Sequence, residues 1–280
     1  MSERLGIAME KDILLEVKHL HTDLVTKQKT IQIVNDVSFC VMRGETFGLI
    51  GESGCGKSIT CKSLIQLMRE PGRITAGEIL YKGENLLEYS EKKMQQIRGR
   101  EISMIFQNPM TTLNPVMTIG SQLIESMEKD INKKEKAIQA EELLRLTGIP
   151  DAGKKLKYYP HQFSGGMRQR AMIAIALAAR PHLLLADEPT TALDVSTQRQ
   201  IIKLLKQLKK ELDMSLLLVT HDLSVASEMC DRIAVMYAGC IMEMTDTASL
   251  FKRPLHPYTY GLLQSIPSIE RGPMSRKSTS

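Results

Sequence analysis

The sequence predicts an α/β protein built on a mainly parallel β-sheet. Short apolar runs, such as residues 183–186, are followed by segments with helical patterning, such as residues 197–212. Strands buried on both faces of a parallel sheet read as nearly continuous apolar runs, and helices usually connect them. A glycine-rich loop also joins the strand predicted at residues 46–50 to a helix at residues 58–67. Together these observations favour a sheet covered by helices on both faces.

Other segments predict structure around this core. Residues 14–20 and 30–41 alternate between apolar and polar side chains, which is typical of half-buried strands, and residues 77–87 resemble a hairpin. Residues 119–149 are amphipathic and predict a helical insertion that extends from about residue 108 to residue 179. The strand-and-helix alternation then resumes, and the polar tail from residue 271 is predicted to be disordered.

Composition narrows the class of protein. The chain has 280 residues, of which 42% are hydrophobic, and its net charge of +5 is mild. The lysine-rich residues 206–213 fit a solvated helix face better than a nucleic-acid groove. Five scattered cysteines predict neither a disulfide framework nor a metal site. No apolar run approaches the ~18 residues of a membrane span, and residues 1–11 show no export signal.

A phosphate-binding loop is the strongest single motif. GESGCGKS reads G-x-x-x-x-G-K-S between a predicted strand and a predicted helix. Glycines let the chain curl and expose backbone N–H groups at a helix N-terminus that favours anions. The lysine adds charge for the β- and γ-phosphates, the serine hydroxyl suits Mg²⁺, and a turn that binds nothing would explain neither. The predicted nucleotide contacts are Gly51, Glu52, Ser53, Gly54, Cys55, Gly56, Lys57, Ser58 and Ile59.

Two carboxylates follow another buried strand, in the stretch HLLLADEP. Asp187 ends the apolar run, where a carboxylate can order Mg²⁺ beside Ser58. Glu188 comes next and is placed to polarise a water that attacks the γ-phosphate. The alternative, an acidic cap between strand and loop, is disfavoured by the presence of the phosphate-binding loop.

Two polar residues at other strand ends are candidates for the same site. The imidazole of His221, in LLLVTHD, would hydrogen-bond the γ-phosphate and hold Glu188 in line. Gln107 leaves the apolar run 102–106 and would reach the metal or the attacking water. A structural histidine and an ordinary strand terminus are the alternatives.

A second anion-binding turn lies in the stretch HQFSGGMRQRAM. Ser164 is a good helix N-cap, and Gly165 and Gly166 leave backbone N–H groups free ahead of a long helix. One phosphate-binding loop and one spare turn suggest that the turn closes on a nucleotide held by a neighbouring subunit.

The motifs, in this order, resemble an ATP-binding cassette (ABC) ATPase over roughly residues 13–268. The resemblance rests on GESGCGKS, Gln107, FSGGM, LLLADE, ALD at residues 192–194, and His221. It implies a P-loop NTPase fold with a mainly parallel core sheet, an antiparallel β subdomain and a helical subdomain. The implied boundaries are 1–107 and 180–250 for the core with its β subdomain, 108–179 for the helical subdomain, 251–270 for a C-terminal extension and 271–280 for the tail.

The resemblance also implies the roles of the site residues. The implied catalytic set is Glu188, His221 and Gln107. The implied Mg²⁺ set is Ser58, Gln107 and Asp187. The residues implied to complete the ATP site of a partner subunit, across a dimer interface, are Ser164, Gly165, Gly166 and Asp194.

Two further stretches are similar to the oligopeptide/dipeptide/nickel branch of ABC importers: FQNPMTTLNP and LHPYTYGLL. In that branch the ATPase is a separate chain at the cytoplasmic face of the inner membrane, paired with an identical or related ATPase. The resemblance implies two membrane permeases and an extracytoplasmic substrate-binding protein as partners, and no nucleic acid. Whether the cargo is peptide or nickel, and whether the paired ATPase is identical, stays open.

Three features depart from the family pattern. Residues 21–29 lack the usual adenine-stacking aromatic, which leaves Leu24 or Val25 for apolar contact. Met167 replaces the usual glutamine of the signature loop. No cysteine-rich tail follows the HPYT stretch, which slightly favours the nickel-type subunits. Cys55 adds a hypothesis of its own, because the helix dipole and Lys57 would favour a reactive thiolate there; a tolerated small residue is the alternative.

Rival functions leave parts of the sequence unexplained. Chromosome and repair ATPases carry hundreds of coiled-coil residues between the two glycine motifs, and translation factors usually carry two cassettes. A small-molecule kinase would leave FSGGM without a role, and Glu188 argues against a non-catalytic, ATP-gated scaffold. A non-transport ABC ATPase is therefore kept as the alternative to an importer subunit.

Overall fold

A computed structural model describes residues 12–128, 130–191 and 193–265 of the chain. The strands are β1 (Ile13–Val25), β2 (Thr30–Met42), β3 (Thr46–Ile50), β4 (Gly72–Tyr81), β5 (Glu84–Asn85), β6 (Ile102–Ile105), β7 (Leu183–Asp187), β8 (Ser215–Thr220), β9 (Arg232–Tyr237) and β10 (Cys240–Asp246). The α-helices are α1 (Lys57–Leu64), α2 (Glu91–Ile97), α3 (Pro109–Thr112), α4 (Ile119–Ser126), α5 (Lys133–Leu146), α6 (Ala152–Lys155), α7 (Gly165–Leu177), α8 (Val195–Glu211), α9 (Leu223–Met229), α10 (Thr247–Lys252) and α11 (Pro257–Gln264).

One sheet is antiparallel, with the strand order β2-β1-β4-β5. The alternating segments predicted near the start of the chain form β1 and β2, and each of these strands is longer than its predicted segment. The predicted hairpin is formed by β4 and the two-residue β5, which pair through Leu80 with Asn85 and Tyr81 with Glu84. The apolar side chains of β1 and β2 pack into the same core cluster as β3, so this sheet lies against the parallel one.

The other sheet is the predicted, mainly parallel core, with the order β10-β9-β3-β8-β7-β6. Five of its strands run parallel and β10 alone runs antiparallel, against β9. Every residue of β3, β7 and β8 is buried, as expected for strands covered on both faces. The carboxyl ends of β3, β8, β7 and β6 therefore meet along one edge, where α/β sheets usually bind ligands.

The helical insertion differs from its prediction in one respect. The amphipathic residues 119–149 form two helices, α4 and α5, instead of one continuous helix. The first ends at Met127, which is extended (ψ 162°), and the second begins after Asn132, whose side chain accepts a hydrogen bond from the backbone N–H of Glu135. An asparagine N-cap in the extended region starts a new helix instead of continuing one. Side chains of α4, α5 and α7 share a core cluster.

Two other helices begin earlier than predicted. The helix after the phosphate-binding loop is α1, which runs from Lys57 and ends at Leu64, three residues before the predicted end at Leu67. The helix predicted at residues 197–212 begins at Val195, because the side chain of Asp194 accepts a hydrogen bond from the backbone N–H of Thr197. The predicted disordered tail, 271–280, and residues 266–270 of the extension lie outside the described residues. Among the residues that the structure describes, no helix combines the length and the apolar character needed to span a membrane.

Candidate functional site

The phosphate-binding loop follows β3 and leads directly into α1. Gly51 and Gly56 have φ angles of 153° and 110°, which L side chains rarely adopt. A Cβ atom at Gly51 would lie 2.2 Å from the carbonyl oxygen of Met236, and one at Gly56 would lie 2.8 Å from the carbonyl oxygen of Ile33. The loop therefore has its shape because glycine stands at both ends of the turn and neighbouring strands press against it.

Lys57 and Ser58 begin the helix and point in different directions. The buried ammonium of Lys57 donates to the carbonyl oxygens of Gly51 (2.8 Å) and Glu52 (2.7 Å), and so lies inside the curl of the loop. The hydroxyl of Ser58 donates to Oδ1 of Asp187 at 2.8 Å, across to the end of β7. A cation inside a ring of backbone groups, next to a helix N-terminus, suits a polyphosphate.

A cleft beside this loop collects most of the predicted site. Its lining residues are Ile33, Ser53, Gly54, Gly56, Lys57, Ser58, Ile59, Gln107 and Glu188. They come from β2, from the loop after β3, from the first turn of α1, and from the carboxyl ends of β6 and β7. Sheet order brings them together, because β3, β8, β7 and β6 are consecutive neighbours. The Lys57 ammonium and the Ser58 hydroxyl, both in its lining, suit a phosphate.

The carboxylate of Glu188 is held by three side chains. The amide of Gln107 donates to Oε2 at 3.1 Å, and the hydroxyl of Thr191 donates to the same oxygen at 2.7 Å. Nδ1 of His221 lies at hydrogen-bond distance, 3.2 Å, from Oε1. The backbone of Glu188 has φ 48°, in the left-handed region that few side chains occupy, and its N–H donates to the carbonyl of Val219. Strained conformations of this kind cluster at functional sites.

The two adjacent carboxylates have opposite electrostatic surroundings. Burial alone would raise the pKa of Glu188, but the hydrogen bonds from Thr191 and His221 outweigh it and lower that pKa. Burial raises the pKa of Asp187 above its usual value, and the bond from Ser58 only partly opposes the rise. Glu188 is therefore ionised at neutral pH, whereas burial disfavours the charge on Asp187, which a nearby cation would stabilise.

The second glycine turn does not reach this cleft within the chain. Ser164 and Gly165 are exposed at the start of α7, and the Ser164 hydroxyl accepts the backbone N–H of Met167 at 3.3 Å. A Cβ at Gly166 would lie 3.0 Å from Cγ2 of Thr197, so the turn lies against the start of α8. None of the three lines the cleft beside Lys57. Because Ser164 and Gly165 are exposed, a second molecule would have access to this turn.

The carboxylate of Asp194 caps the start of α8. Its carboxylate accepts hydrogen bonds from the hydroxyls of Ser196 (2.8 Å) and Thr197 (2.6 Å) and from the backbone N–H of Thr197 (3.0 Å). The hydrogen bonds from Thr197 and Ser196 lower the pKa of Asp194 well below its usual range. The residue is exposed beside the glycine turn of α7, and its predicted role across an interface stays a prediction. Ala192, in the same motif, lies outside the described residues.

Sequence reasoning missed three residues of the site. Thr191 follows Glu188 by three positions, and that spacing after a strand end was an available signal. Gln169 of α7 is buried and donates to the carbonyl of Pro189 at 2.6 Å, which ties the signature helix to the Glu188 loop. Ile33 lines the cleft from β2. No local pattern marks Gln169 or Ile33, since their partners are far away along the chain.

Two predictions about the nucleotide site stay open. Leu24 and Val25, the apolar substitutes for an adenine-stacking aromatic, do not line the phosphate cleft. Val25, the last residue of β1, is 36% exposed. Cys55 is only 6% exposed and its sulfur accepts a contact from the Lys57 ammonium at 3.7 Å. The burial of this sulfur limits the access of a reagent, so the reactive-thiol hypothesis stays a prediction.

Known protein families match two parts of the chain. A family described as "ABC transporter" matches residues 34–191, and one described as "Oligopeptide/dipeptide transporter, C-terminal region" matches residues 242–278. The dipeptide transport ATP-binding protein DppD of Bacillus subtilis (strain 168) is 49% identical over 265 residues, covering 94% of this chain and 78% of that protein. The oligopeptide transport ATP-binding protein OppD of the same organism is 50% identical over 260 residues, covering 92% of this chain and 73% of that protein.

Solved structures show the same fold. The ATP-binding cassette MJ0796, in a dimeric post-hydrolysis state bound to ADP and Pi, aligns with a TM-score of 0.74 at 28% identity. The alignment covers 83% of this chain and 98% of that one. These relatives support the transporter interpretation and give no support to a repair or translation ATPase. The chain therefore belongs to the ABC transporter family, as an ATPase subunit related to dipeptide and oligopeptide transport ATP-binding proteins.

Proposed function

We propose that this chain hydrolyses ATP to power the uptake of di- or oligopeptides through partner permeases. The observation that carries the proposal is the Glu188 carboxylate, held by Gln107, Thr191 and His221 beside the phosphate-binding loop. The match of the C-terminal residues 242–278 to oligopeptide/dipeptide transporters supports the peptide cargo. Nickel, the other cargo that the sequence left open, is the alternative to be tested.

The hydrolytic step follows from these contacts. Lys57 and the loop N–H groups bind the β- and γ-phosphates, and Glu188 orients a water in line with the γ-phosphorus. As the water oxygen bonds to phosphorus, the bond to the β–γ bridging oxygen breaks, and Glu188 takes the proton from the water. ADP and phosphate are the products. His221 and Gln107 keep the carboxylate aimed, and His221 also reaches the γ-phosphate.

Mg²⁺ fits the oxygen donors at this site. The hydroxyl of Ser58 and the carboxylate of Asp187 lie 2.8 Å apart, and Gln107 uses its amide nitrogen on Glu188, which leaves its oxygen free to coordinate. Hard oxygen ligands that include one or two carboxylates are typical of Mg²⁺ bound together with phosphates. When bound, the ion would neutralise charge on the β- and γ-phosphates. The raised pKa of Asp187 is consistent with a carboxylate that a cation stabilises.

We further propose that ATP joins two subunits. In one chain, the cleft would supply groups to one side of the γ-phosphate, while the exposed Ser164 and Gly165 lie outside that cleft. A second ATPase subunit, identical or related, would place its glycine turn and its Asp194 on the far side of that phosphate. The dimeric solved relative bound to ADP and Pi supports this arrangement. Differential affinity of ATP and ADP for the closed pair then drives opening and closing.

A groove next to Gln107 suits a permease loop. It runs between β6, α4 and α7, and its walls include Met104, Met127 and Met172, with Arg98 and Arg100 at one end. These three methionines are buried and give the groove an apolar floor. Because Gln107 lies where β6 leads into the helical insertion, a change at the ATP site would reach this groove. We propose that two membrane permeases dock here and that an extracytoplasmic substrate-binding protein delivers cargo to them.

This assignment gives each predicted region a role. Residues 1–107 and 180–250 would form the ATP-binding core, and residues 108–179 would couple it to the permeases. Residues 251–270 would be a family extension. The subunit would be peripheral at the cytoplasmic face of the inner membrane.

Replacing the proposed base tests the function. Glu188→Gln keeps the shape but cannot accept the proton, so we expect ATP-dependent pairing with a loss of kcat of at least about a hundredfold. Pairing is measured by size-exclusion chromatography with ATP and turnover by phosphate release. Glu211→Gln, an exposed carboxylate at the end of α8, is the matched control. Rapid hydrolysis by Glu188→Gln would place the base elsewhere.

An uptake assay distinguishes the two proposed cargoes. Cells that express the complete transporter should accumulate radiolabelled di- and oligopeptides, and the Glu188→Gln variant should abolish this uptake. Accumulation of Ni²⁺ without peptide uptake would replace the peptide proposal with the nickel one.

A further inference from the structure

The start of α11 is fastened to the edge strand β10. The carboxylate of Glu243 accepts hydrogen bonds from the backbone N–H groups of Leu255 (2.9 Å) and His256 (3.0 Å). Burial alone would raise the pKa of Glu243, but these two donors outweigh it and lower the pKa, so the acceptor is charged. Charge-assisted bonds of this kind are strong. Nδ1 of His256 then caps the helix by accepting the N–H of Tyr258 at 3.1 Å.

The anchored helix places Tyr258 against the end of β9. The rings of Tyr258 and Tyr237 have centroids 4.5 Å apart and planes tilted by 43°, within the range of stabilising aromatic pairs. The hydroxyl oxygen of Tyr258 is buried and has no hydrogen-bond partner among the described residues. Burial raises the pKa of Tyr258, and the charge of Glu52 in the phosphate-binding loop adds to the rise, while the Glu52 backbone partly opposes it.

Tyr237 begins a turn that contacts the phosphate-binding loop. Ala238 and Gly239 both have positive φ, 46° and 87°, and the N–H of Gly239 donates to the carbonyl of Cys55 at 3.0 Å. The carbonyl of Gly239 accepts the N–H of Asn35 at 2.8 Å, so the same turn is tied to β2. The turn 237–240 therefore bonds to the loop on one side and carries the Tyr258 contact on the other.

We propose that Tyr258, through its ring contact with Tyr237, is a positioning residue that holds the phosphate-binding loop in its nucleotide-binding shape. The inference rests on the proposed ATPase function and gives the C-terminal extension a part in it. Tyr258 acts through the turn and does not touch the reacting atoms. The aromatic pair and the hydrogen bond from Gly239 to Cys55 together connect α11 to the phosphate-binding loop, which lies far away along the chain.

Loss of the Tyr258 contact should affect ATP binding and not the hydrolytic step. The turn contacts the loop that grips the phosphates, whereas Gln107, Glu188 and His221 are carried by the ends of β6, β7 and β8. Loosening the turn should weaken the affinity for ATP and raise KM, while kcat at saturating ATP should change by less than about twofold. An aromatic contact of this strength predicts that affinity falls by about threefold to tenfold.

The test compares matched tyrosine variants of the full-length chain. ATP affinity is measured by calorimetry, and amide hydrogen exchange of residues 51–56 is measured without nucleotide. Tyr258→Ala should lose affinity by the stated factor and exchange faster in the loop. Tyr258→Phe keeps the ring and should behave as the wild type, since its lost hydroxyl has no partner among the described residues. Tyr260→Ala, on the same helix but 57% exposed, should also behave as the wild type.

The other side of the contact gives an independent check. Tyr237→Ala should mimic Tyr258→Ala, and the double variant should bind ATP no more weakly than either single variant. Unchanged affinity and unchanged loop exchange in Tyr258→Ala would overturn the proposal, and so would a Tyr258→Phe variant as weak as the alanine. If the wild type itself bound no ATP, the proposed function would fail, while the exchange measurement would still decide whether Tyr258 holds the loop.

Discussion

Removing the hydroxyl of Thr191 should reduce the catalytic contribution of Glu188 without displacing its side chain. Thr191→Val keeps the shape of the side chain and deletes the 2.7 Å hydrogen bond to Oε2, while Gln107 and His221 still contact the carboxylate. The bond is charge-assisted, and bonds to charged groups contribute roughly 1.5–3 kcal/mol each. Because Gln107 donates to the same oxygen, we take the lower end of that range. If that loss is felt in the transition state, kcat falls about tenfold.

The pH dependence gives a sharper readout than the rate alone. Hydrogen bonds to the ionised form lower the pKa of Glu188, so the carboxylate stays charged to lower pH than an ordinary glutamate. Thr191→Val removes the largest of the opposing hydrogen bonds, and the pKa of Glu188 must rise. The acid limb of the kcat profile should therefore move to higher pH, so that the variant loses activity at a higher pH than the wild type.

The assay is steady-state phosphate release at saturating ATP between about pH 4 and pH 9, a range that includes the usual pKa of glutamate, about 4.3, near its lower edge. Thr190→Val is the matched control, because Thr190 contributes its backbone carbonyl, which accepts the Gln198 amide at 3.2 Å. An acid limb and a kcat that are both unchanged in Thr191→Val, relative to this control, would refute the assignment of Glu188 as the proton acceptor.

Three further changes test other parts of the site. Lys57→Ala removes the ammonium inside the loop and should abolish ATP binding or turnover, whereas retained affinity in calorimetry would show that the loop N–H groups suffice. Gln169→Leu leaves the carbonyl of Pro189 without its 2.6 Å donor and should lower the free energy of unfolding by about 1–3 kcal/mol, measured by urea denaturation; no change would mean that the loop is held elsewhere. Alkylation of Cys55 should block hydrolysis and bound ATP should protect, and equal inactivation with and without ATP would end the reactive-thiol hypothesis.

Most of the site was predictable because its motifs are local. The turn at Gly51–Gly56 depends on backbone angles that glycine adopts, and α1 follows within the same stretch. Asp187 and Glu188 could be placed at a strand end because an uninterrupted apolar run precedes them. The same reasoning placed His221. In each case the residues that determine the conformation are neighbours in the chain, so a single sequence contains the information.

Local patterns failed where distant contacts decide. Residues 119–149 are a different case, because the break after Ser126 has a local cause that the prediction missed: Asn132 caps a separate helix by accepting the backbone N–H of Glu135. The left-handed backbone of Glu188 has no sequence signal, since a glutamate rarely adopts φ 48° unless its surroundings impose it. Thr191, by contrast, lies only three positions after Glu188, so its hydrogen bond to that carboxylate had a local signal that sequence reasoning missed.

The sequence by itself therefore determined the candidate residues of the site: the glycine loop with Lys57, the carboxylate proposed as the proton acceptor, and the glycine turn proposed to face a partner. Only the tertiary structure decided how these groups meet. The order of β3, β8, β7 and β6 brings Gln107, Glu188 and His221 to one edge, and the docking of α11 brings Tyr258 to the turn beside Cys55. The physical reason is that backbone angles and capping are set by adjacent residues, whereas strand order and ring contacts are set by burial between segments far apart in the chain.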